Sequence, residues 1–237
     1  TMYFTFSTSF NIGGYLTSLL ALDNFDTITD IPQFSFIYLF EYQSDLFNAK
    51  DLITSNITTV GDLAFMNCFY ACSSLTTAPS FENVTTVNSY GFNACFYNCS
   101  SLTTAPSFDK VTTVNSYGYH GCFSYCTSLT TAPKFDKVTT VSDSSFHNAF
   151  ANCSSLTTTP NFSNITSVGN LGFNACFQNC TKLQVIYIPN ITTWITGDFV
   201  DWVDGVATTG VVFKSATLEI PTGTNGVPTG WITLIKN

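Results

Sequence analysis

Nine cysteines and two histidines are the groups in this 237-residue chain best able to do metal, redox or nucleophilic chemistry. Their spacing narrows which of these applies. Cys72, Cys99, Cys126, Cys153 and Cys180 recur every 27 residues, and Cys68, Cys95, Cys122 and Cys176 each stand four residues ahead of one of them. The resulting C-x-x-x-C spacing is not the C-x-x-C of a zinc ribbon. The same positions accommodate Ala149, Trp202 and Val206, which neither ligate nor bridge. An odd count also leaves at least one thiol unpaired within the chain. Buried free thiols, acting as small hydrophobes, are therefore the leading reading, ahead of disulfides between repeats and of a metal site. Thiols in this number point to folding in a reducing compartment or an anaerobic habitat. No metal or cofactor is expected.

His120 and His147 are one period apart, in a column completed by Asn93 and Asn174. They directly follow apolar positions and are read as surface polar residues. No Ser or Cys nucleophile acquires a His base or acidic orienter from the spacing. Asp198, Asp201 and Asp204 recur at i, i+3, i+6, without the loop spacing or bidentate Glu of a calcium site. Asp198 is read as a charge favouring a helix N-terminus, and Asp23, Asp26 and Asp30 as a solvated loop. Eight N-x-S/T sequons, among them Asn56, Asn83, Asn164 and Asn190, follow from a composition rich in Asn and Thr. They bear on function only in a eukaryotic secretory route. The chain is read as non-catalytic.

Threonine offers a different chemistry, that of hydroxyl donors and acceptors in rows. Thr77, Thr104, Thr131 and Thr158 repeat at the 27-residue period, with Thr76, Thr103, Thr130 and Thr157 beside them. The elements that carry them are legible from the repeat itself. L-T-T-A-P occurs at 75–79, 102–106 and 129–133, then L-T-T-T-P at 156–160; V-T-T-V occurs at 84–87, 111–114 and 138–141. These short Thr-rich runs read as extended segments. Between them, Phe92, Cys95, Phe96 and Cys99 fall at i, i+3, i+4, i+7, the apolar face of a short α-helix. Phe65, Cys68, Phe69 and Cys72 repeat the pattern, and Phe199, Trp202, Val203 and Val206 close it. Phe92, Cys95, Phe96, Cys99, Leu102, Phe123, Cys126 and Leu129 are the expected core.

One such unit cannot bury its apolar face alone, so units must stack. Strands stack about 4.8 Å apart and helices about 8–10 Å apart. The expected fold is therefore an α/β repeat, a curved solenoid with a concave β-sheet and convex short helices. The four Thr columns would face the concave side. Residues 1–45, where Phe34, Phe36, Tyr38, Phe40 and Tyr42 alternate, are expected to be a β-rich N-terminal cap. Residues 46–206 form the solenoid and 207–237 a C-terminal cap.

Composition excludes several partners. Hydrophobic residues make up 45% of the chain and charged residues 9%, with 15 acidic residues against seven Lys and no Arg, a net charge of −8. Such a surface cannot track phosphates or hold an anionic membrane. No apolar run approaches the ~20 residues of a spanning helix, so neither nucleic-acid binding nor membrane insertion is expected. TMYFTFSTSF at the start has no basic region followed by an apolar stretch, so no signal peptide is visible.

The repeat resembles the BspA-type (Treponema-type) leucine-rich repeats, whose pattern is similar to C-x-x-L-x-x-I-x-I-P-x-x-V-x-x-I-G-x-x-A-F. Val60-Gly61-Asp62-Leu63-Ala64-Phe65 matches its end, and the run Leu183 to Ile191 (L-Q-V-I-Y-I-P-N-I) matches its middle. Ala78 and Ala105 depart from it, and the period is longer than the family's. The resemblance spans roughly residues 46–213, and P-T-G-T-N-G-V-P-T-G-W at 221–231 resembles the terminal segment of such proteins in gut bacteria and their phages. It implies a leucine-rich-repeat solenoid and an extracellular recognition or attachment role on a bacterial cell surface or a virion. An adhesin and the receptor-binding part of a phage tail fibre are the two versions. The partner would be a cell-surface glycan or protein receptor, met by an oligomer within a larger fibre or surface assembly. A structural spacer that binds nothing specific is the alternative.

Overall fold

The computed structural model describes residues 29–50, 56–192 and 195–236. Its nine strands are short: β1 Asp30–Ile31, β2 Thr59–Val60, β3 Thr86–Val87, β4 Thr113–Val114, β5 Thr140–Val141, β6 Ser167–Val168, β7 Val185–Tyr187, β8 Val211–Lys214 and β9 Ile232–Ile235. All pair in parallel, in the orders β1-β2-β3-β4, β5-β6 and β7-β8-β9. Thr59 meets Thr86 and Thr86 meets Thr113, so each coil advances by one 27-residue repeat. Val60, Val87, Val114 and Val141 point into the core while the Thr before each lies at the surface, as strand alternation requires. The L-T-T-A-P segments make only isolated bridges, such as Thr104 with Thr131. There Leu102 is buried while Thr103 and Thr104 are both exposed, which regular alternation forbids.

The expected convex helices are not formed. Among the described residues the only helix is a 3-10 turn at Thr196–Phe199. Each Phe/Cys segment is instead a ribbon of consecutive turns with a four-residue repeat. Positive φ recurs at Leu63, Asn67 and Ala71, then at Tyr90, Ala94 and Asn98 in the next coil. Alternate N–H groups bond three residues back, as Cys68 to the Phe65 carbonyl at 3.1 Å. The others bond across to the next coil, as Phe65 N–H to the Gly91 carbonyl and Phe69 N–H to the Cys95 carbonyl, both at 2.8 Å. The spacing i, i+3, i+4, i+7 is common to a 3.6-residue and a four-residue period over so short a run, so both bury the same side chains. Stacked ribbons sit at strand-like separation: Phe69 and Phe96 have ring centroids 5.2 Å apart and Phe96 and Phe123 5.5 Å. The helix-to-strand mismatch that called for a concave sheet and a convex helical back is therefore absent.

The first described coil lies within the segment expected to be a cap. Asp30 and Ile31 pair with Thr59 and Val60, and the N–H groups of Phe34, Phe36, Tyr38, Phe40 and Tyr42 bond carbonyls of the following coil. The two-residue alternation at 34–42 thus reports a turn ribbon, in which every second N–H faces the neighbour. Residues 1–28 lie outside the described region. At the other end β8 and β9 are longer, and two indoles lock this region: Trp202 Nε1 donates to the Gly226 carbonyl at 2.9 Å and Trp231 Nε1 to the Ala207 carbonyl at 2.8 Å. Among the described residues no helix is long and apolar enough to cross a membrane.

One continuous core fills the coils. Phe92, Cys95, Phe96, Cys99, Leu102, Phe123, Cys126 and Leu129 are all fully buried. Phe65, Phe92, Tyr119, Phe146, Phe173 and Phe199 stack in one column at 5.3–5.5 Å. Phe81, Phe108, Phe135 and Phe162 stack in a second and meet the first edge-on. Burying each ring is worth roughly 1.5–3 kcal/mol, which is what joins two-residue strands into a fold.

Candidate functional site

Several of the Thr pairs divide their hydroxyls between the neighbouring coil and the surface, although Thr103, Thr139 and Thr157 make no such bond among the described residues. In the pairs that do, the first Thr bends back to the preceding coil: Thr85 Oγ1 donates to the Thr58 carbonyl and Thr112 Oγ1 to the Thr85 carbonyl, both at 3.2 Å. Thr130 does the same to the Thr103 carbonyl at 3.2 Å, and Thr76 to the Phe47 carbonyl at 2.9 Å. The second Thr makes no such bond. Thr77, Thr104 and Thr131 are exposed, and their hydroxyls have no partner among the described residues; Thr158 is half-buried in the same row. Side-chain bonds to the neighbouring coil orient one hydroxyl and leave the other for an external partner.

A second row has the same character and was not singled out from the sequence. Thr113, Thr140 and Ser167 are exposed and Thr59 and Thr86 half-buried; Thr59, Thr86 and Thr113 lie in register on β2–β4, as do Thr140 and Ser167 on β5 and β6. The signal was present in the V-T-T-V repeat, whose pairs match those of L-T-T-A-P. The loops joining the two rows carry Glu82, Asp109 and Asp136 against Lys110, Lys134 and Lys137, so their formal charges cancel. Lys110 Nζ donates to Asn83 Oδ1 across one coil. These rows present hydroxyls at a one-coil repeat in a setting without net charge.

The thiols face inward. Cys72 Sγ donates to the Phe40 carbonyl at 3.0 Å, and Cys99, Cys126, Cys153 and Cys180 donate likewise to Phe69, Phe96, Phe123 and Phe150 at 3.1 Å. All nine are buried and free. Burial pushes the thiols up, to about 12 for Cys72, Cys126 and Cys180, so they carry little of the thiolate that reacts or ligates.

His120 and His147 are half-buried with ring centroids 4.8 Å apart. Asn93 Nδ2 lies 2.9 Å from His120 Nδ1. Burial, and then the neighbouring His147, lowers the His120 imidazole to about 4. Asp198 is buried in the 3-10 turn, where desolvation raises its carboxyl. Asp204 Oδ2 accepts from Gln178 Nε2 at 3.5 Å, and Asp201 N–H donates to Asn225 Oδ1 at 2.7 Å, so the three Asp positions serve separate contacts. No group of three potential ligands converges among the described residues. Asp23 and Asp26 lie outside the described region.

Six copies of the family profile described as "BspA type Leucine rich repeat region" match residues 26–149 and 93–199. A leucine-rich repeat protein from Bacteroides ovatus with a solved crystal structure is similar at 13% identity and a TM-score of 0.31, over 84% of this chain and 63% of that one. The chain thus spans under two thirds of that protein's length. No curated protein matches.

Proposed function

We propose, on the premise that this chain belongs to the BspA-type leucine-rich repeat family, that it is a non-catalytic recognition domain acting outside the cell. Proteins of this kind are often surface-associated and engaged in binding. The domain serves attachment, as the receptor-binding part of a phage tail fibre or as a bacterial surface adhesin, and it works within a larger fibre or surface assembly. Its partner is a glycan or protein surface of the target cell. The row Thr77, Thr104, Thr131 and Thr158 makes the contact, with the parallel row on the β2–β6 strands beside it.

The observation that carries this reading is the division of labour in the pairs Thr76–Thr77 and Thr130–Thr131, where the first hydroxyl bonds the neighbouring coil and the second is exposed without a partner among the described residues. Buried unreactive thiols accord with a protein folded in reducing cytosol before release, which favours the virion version. Substituting Thr104 and Thr131 by Lys places two cations in the row and abolishes attachment of the labelled chain to target cells. Unchanged attachment by a folded T104K/T131K variant would transfer support to the spacer reading, which the near-identity of the coils favours.

A further inference from the structure

The Thr rows repeat from coil to coil, so a ligand held only there can shift by one coil and meet the same groups. The outer face of the turn ribbon differs. One column reads Tyr70, Tyr97, Ser124, Ala151, Gln178 and another Leu63, Tyr90, Tyr117, Ser144, Leu171. Aromatic rings thus gather on the first four coils and fade afterwards, so this face can bind a partner in one register only.

Tyr42, Tyr70, Tyr97 and Tyr125 form a continuous row there. Tyr70 and Tyr97 stack at 4.7 Å with planes 2° apart, whereas Tyr42 meets Tyr70 edge-on, at 5.4 Å and 71°. That turn leaves a face of the Tyr42 ring open, and the residue is 62% exposed. The phenol oxygens of the row have no hydrogen-bond partner among the described residues. Glu41 stands beside Tyr42, close enough to Tyr70 to act on its hydroxyl, and is itself raised by burial. No lysine lies in any ribbon segment, whose charged residues are Glu41, Asp62, Asp143 and, on the last ribbon, Asp198, Asp201 and Asp204. Asp62 and Asp143 each accept a backbone N–H from the next coil, at Ser89 and Asn170. Glu41 has no cationic partner among the described residues.

We propose that the strip formed by Tyr42, Tyr70 and Tyr97 with Glu41 docks an arginine-bearing segment of a partner protein. A guanidinium lies flat on the open Tyr42 ring while its N–H fork reaches the carboxylate. Planarity, stacking and the fork favour Arg over Lys at such a place. Tyrosine at the centre with few charges is also the composition of protein interfaces.

Titrating octa-arginine and octa-lysine peptides onto the full chain at one ionic strength tests this. Octa-arginine should bind about two- to five-fold more tightly. Tyr42→Ser with Tyr70→Ser removes that preference, Tyr42→Phe with Tyr70→Phe keeps it, and Glu41→Gln weakens octa-arginine binding. Asp201→Asn, on a remote coil, leaves it unchanged. Equal affinity for both peptides, or a preference that survives Y42S/Y70S in a chain with an unaltered melting curve, overturns the proposal. So does Tyr-dependent binding of maltoheptaose with no peptide binding, which would make the strip a saccharide surface. T104K/T131K leaves the peptide titration unchanged, so this result and the attachment result are independent.

Discussion

Replacing Tyr119 with Phe removes the one oxygen from a column of rings that otherwise carries none. Tyr119 stacks between Phe92 and Phe146, each 5.5 Å away, and meets Phe108 and Phe135 edge-on at 5.0 Å. Its hydroxyl is buried with no hydrogen-bond partner among the described residues. Burial holds the phenol well above its ordinary range, and the nearby Cys122 and Cys95 add to the shift. A hydroxyl transferred from water without a partner costs about 1–3 kcal/mol on the scale of protein mutations. Tyr119→Phe keeps the ring, its stacking and nearly all its volume, and relieves that cost. The packing contacts of the oxygen itself offset part of the gain, leaving about 1–2 kcal/mol of added stability. For a chain of this length each kcal/mol is worth roughly 2–4 °C, so Tm should rise by about 2–8 °C. Urea unfolding followed by circular dichroism should show a higher midpoint at unchanged slope. A variant that is less stable than the parent would mean that the hydroxyl is satisfied in the folded state, and the reasoning would fail.

Two further predictions follow from ionisation. Unfolded thiols ionise near their ordinary value of 9, whereas folded Cys72, Cys126 and Cys180 hold their protons to about 12. Their stabilising effect is complete below pH 9 and is lost as pH rises from 9 towards 12, by about 1.4 kcal/mol per thiol per pH unit. Denaturant midpoints measured from pH 8 to 11 should fall steeply above 9, and a flat profile would contradict the burial of the thiols. For His120, whose folded value is lowered to about 4 from 6.5, stability is complete above 6.5 and declines as pH falls towards 4. His120→Asn, the residue at the equivalent positions 93 and 174, should flatten that acid limb in the same assay; an unaltered limb would assign it to other groups.

Much of the architecture was legible because the chain states it several times over. The 27-residue period, the inward Phe, Leu and Cys columns and the Thr runs are all in the spelling of residues 57–183, and the backbone register follows that spelling coil for coil. The division between bonded and free hydroxyls was not legible. It depends on which carbonyl of the preceding coil lies opposite each Thr, and two adjacent identical residues give no hint of it. The row on the β2–β6 strands was overlooked for the same reason, although V-T-T-V repeats as faithfully as L-T-T-A-P. The Tyr strip was harder still. Tyr97 and Tyr125 belong to different columns, yet their rings meet at 5.3 Å. Only the ribbon geometry brings them together.

That geometry was hidden by a coincidence of periods, and the residues that break the coincidence are the outward ones. A helix and a four-residue ribbon both bury Ala64, Phe65, Cys68, Phe69 and Cys72, so the apolar pattern alone cannot separate them. The ribbon, however, needs a left-handed residue at every fourth position, and a helix has no such need. Asn67, Asn98, Asn148, Asn152 and Asn179 occupy five of those positions and Gly121 a sixth with φ of 59°, while Tyr, Leu and Ala hold most of the others. Asn and Gly tolerate that conformation best and are poor residues for a helix interior. Asn or Gly at such an outward position, twice at four-residue spacing in Asn148 and Asn152, is therefore a local signal for a ribbon. It also explains how the fold is held: a helix satisfies its own N–H groups and leaves coils joined by side chains alone, whereas the ribbon directs alternate N–H groups into the next coil. With backbone ladders on the ribbon as well as on the strands, two-residue strands suffice, and the outer face becomes regular enough for tyrosine rings from successive coils to stack.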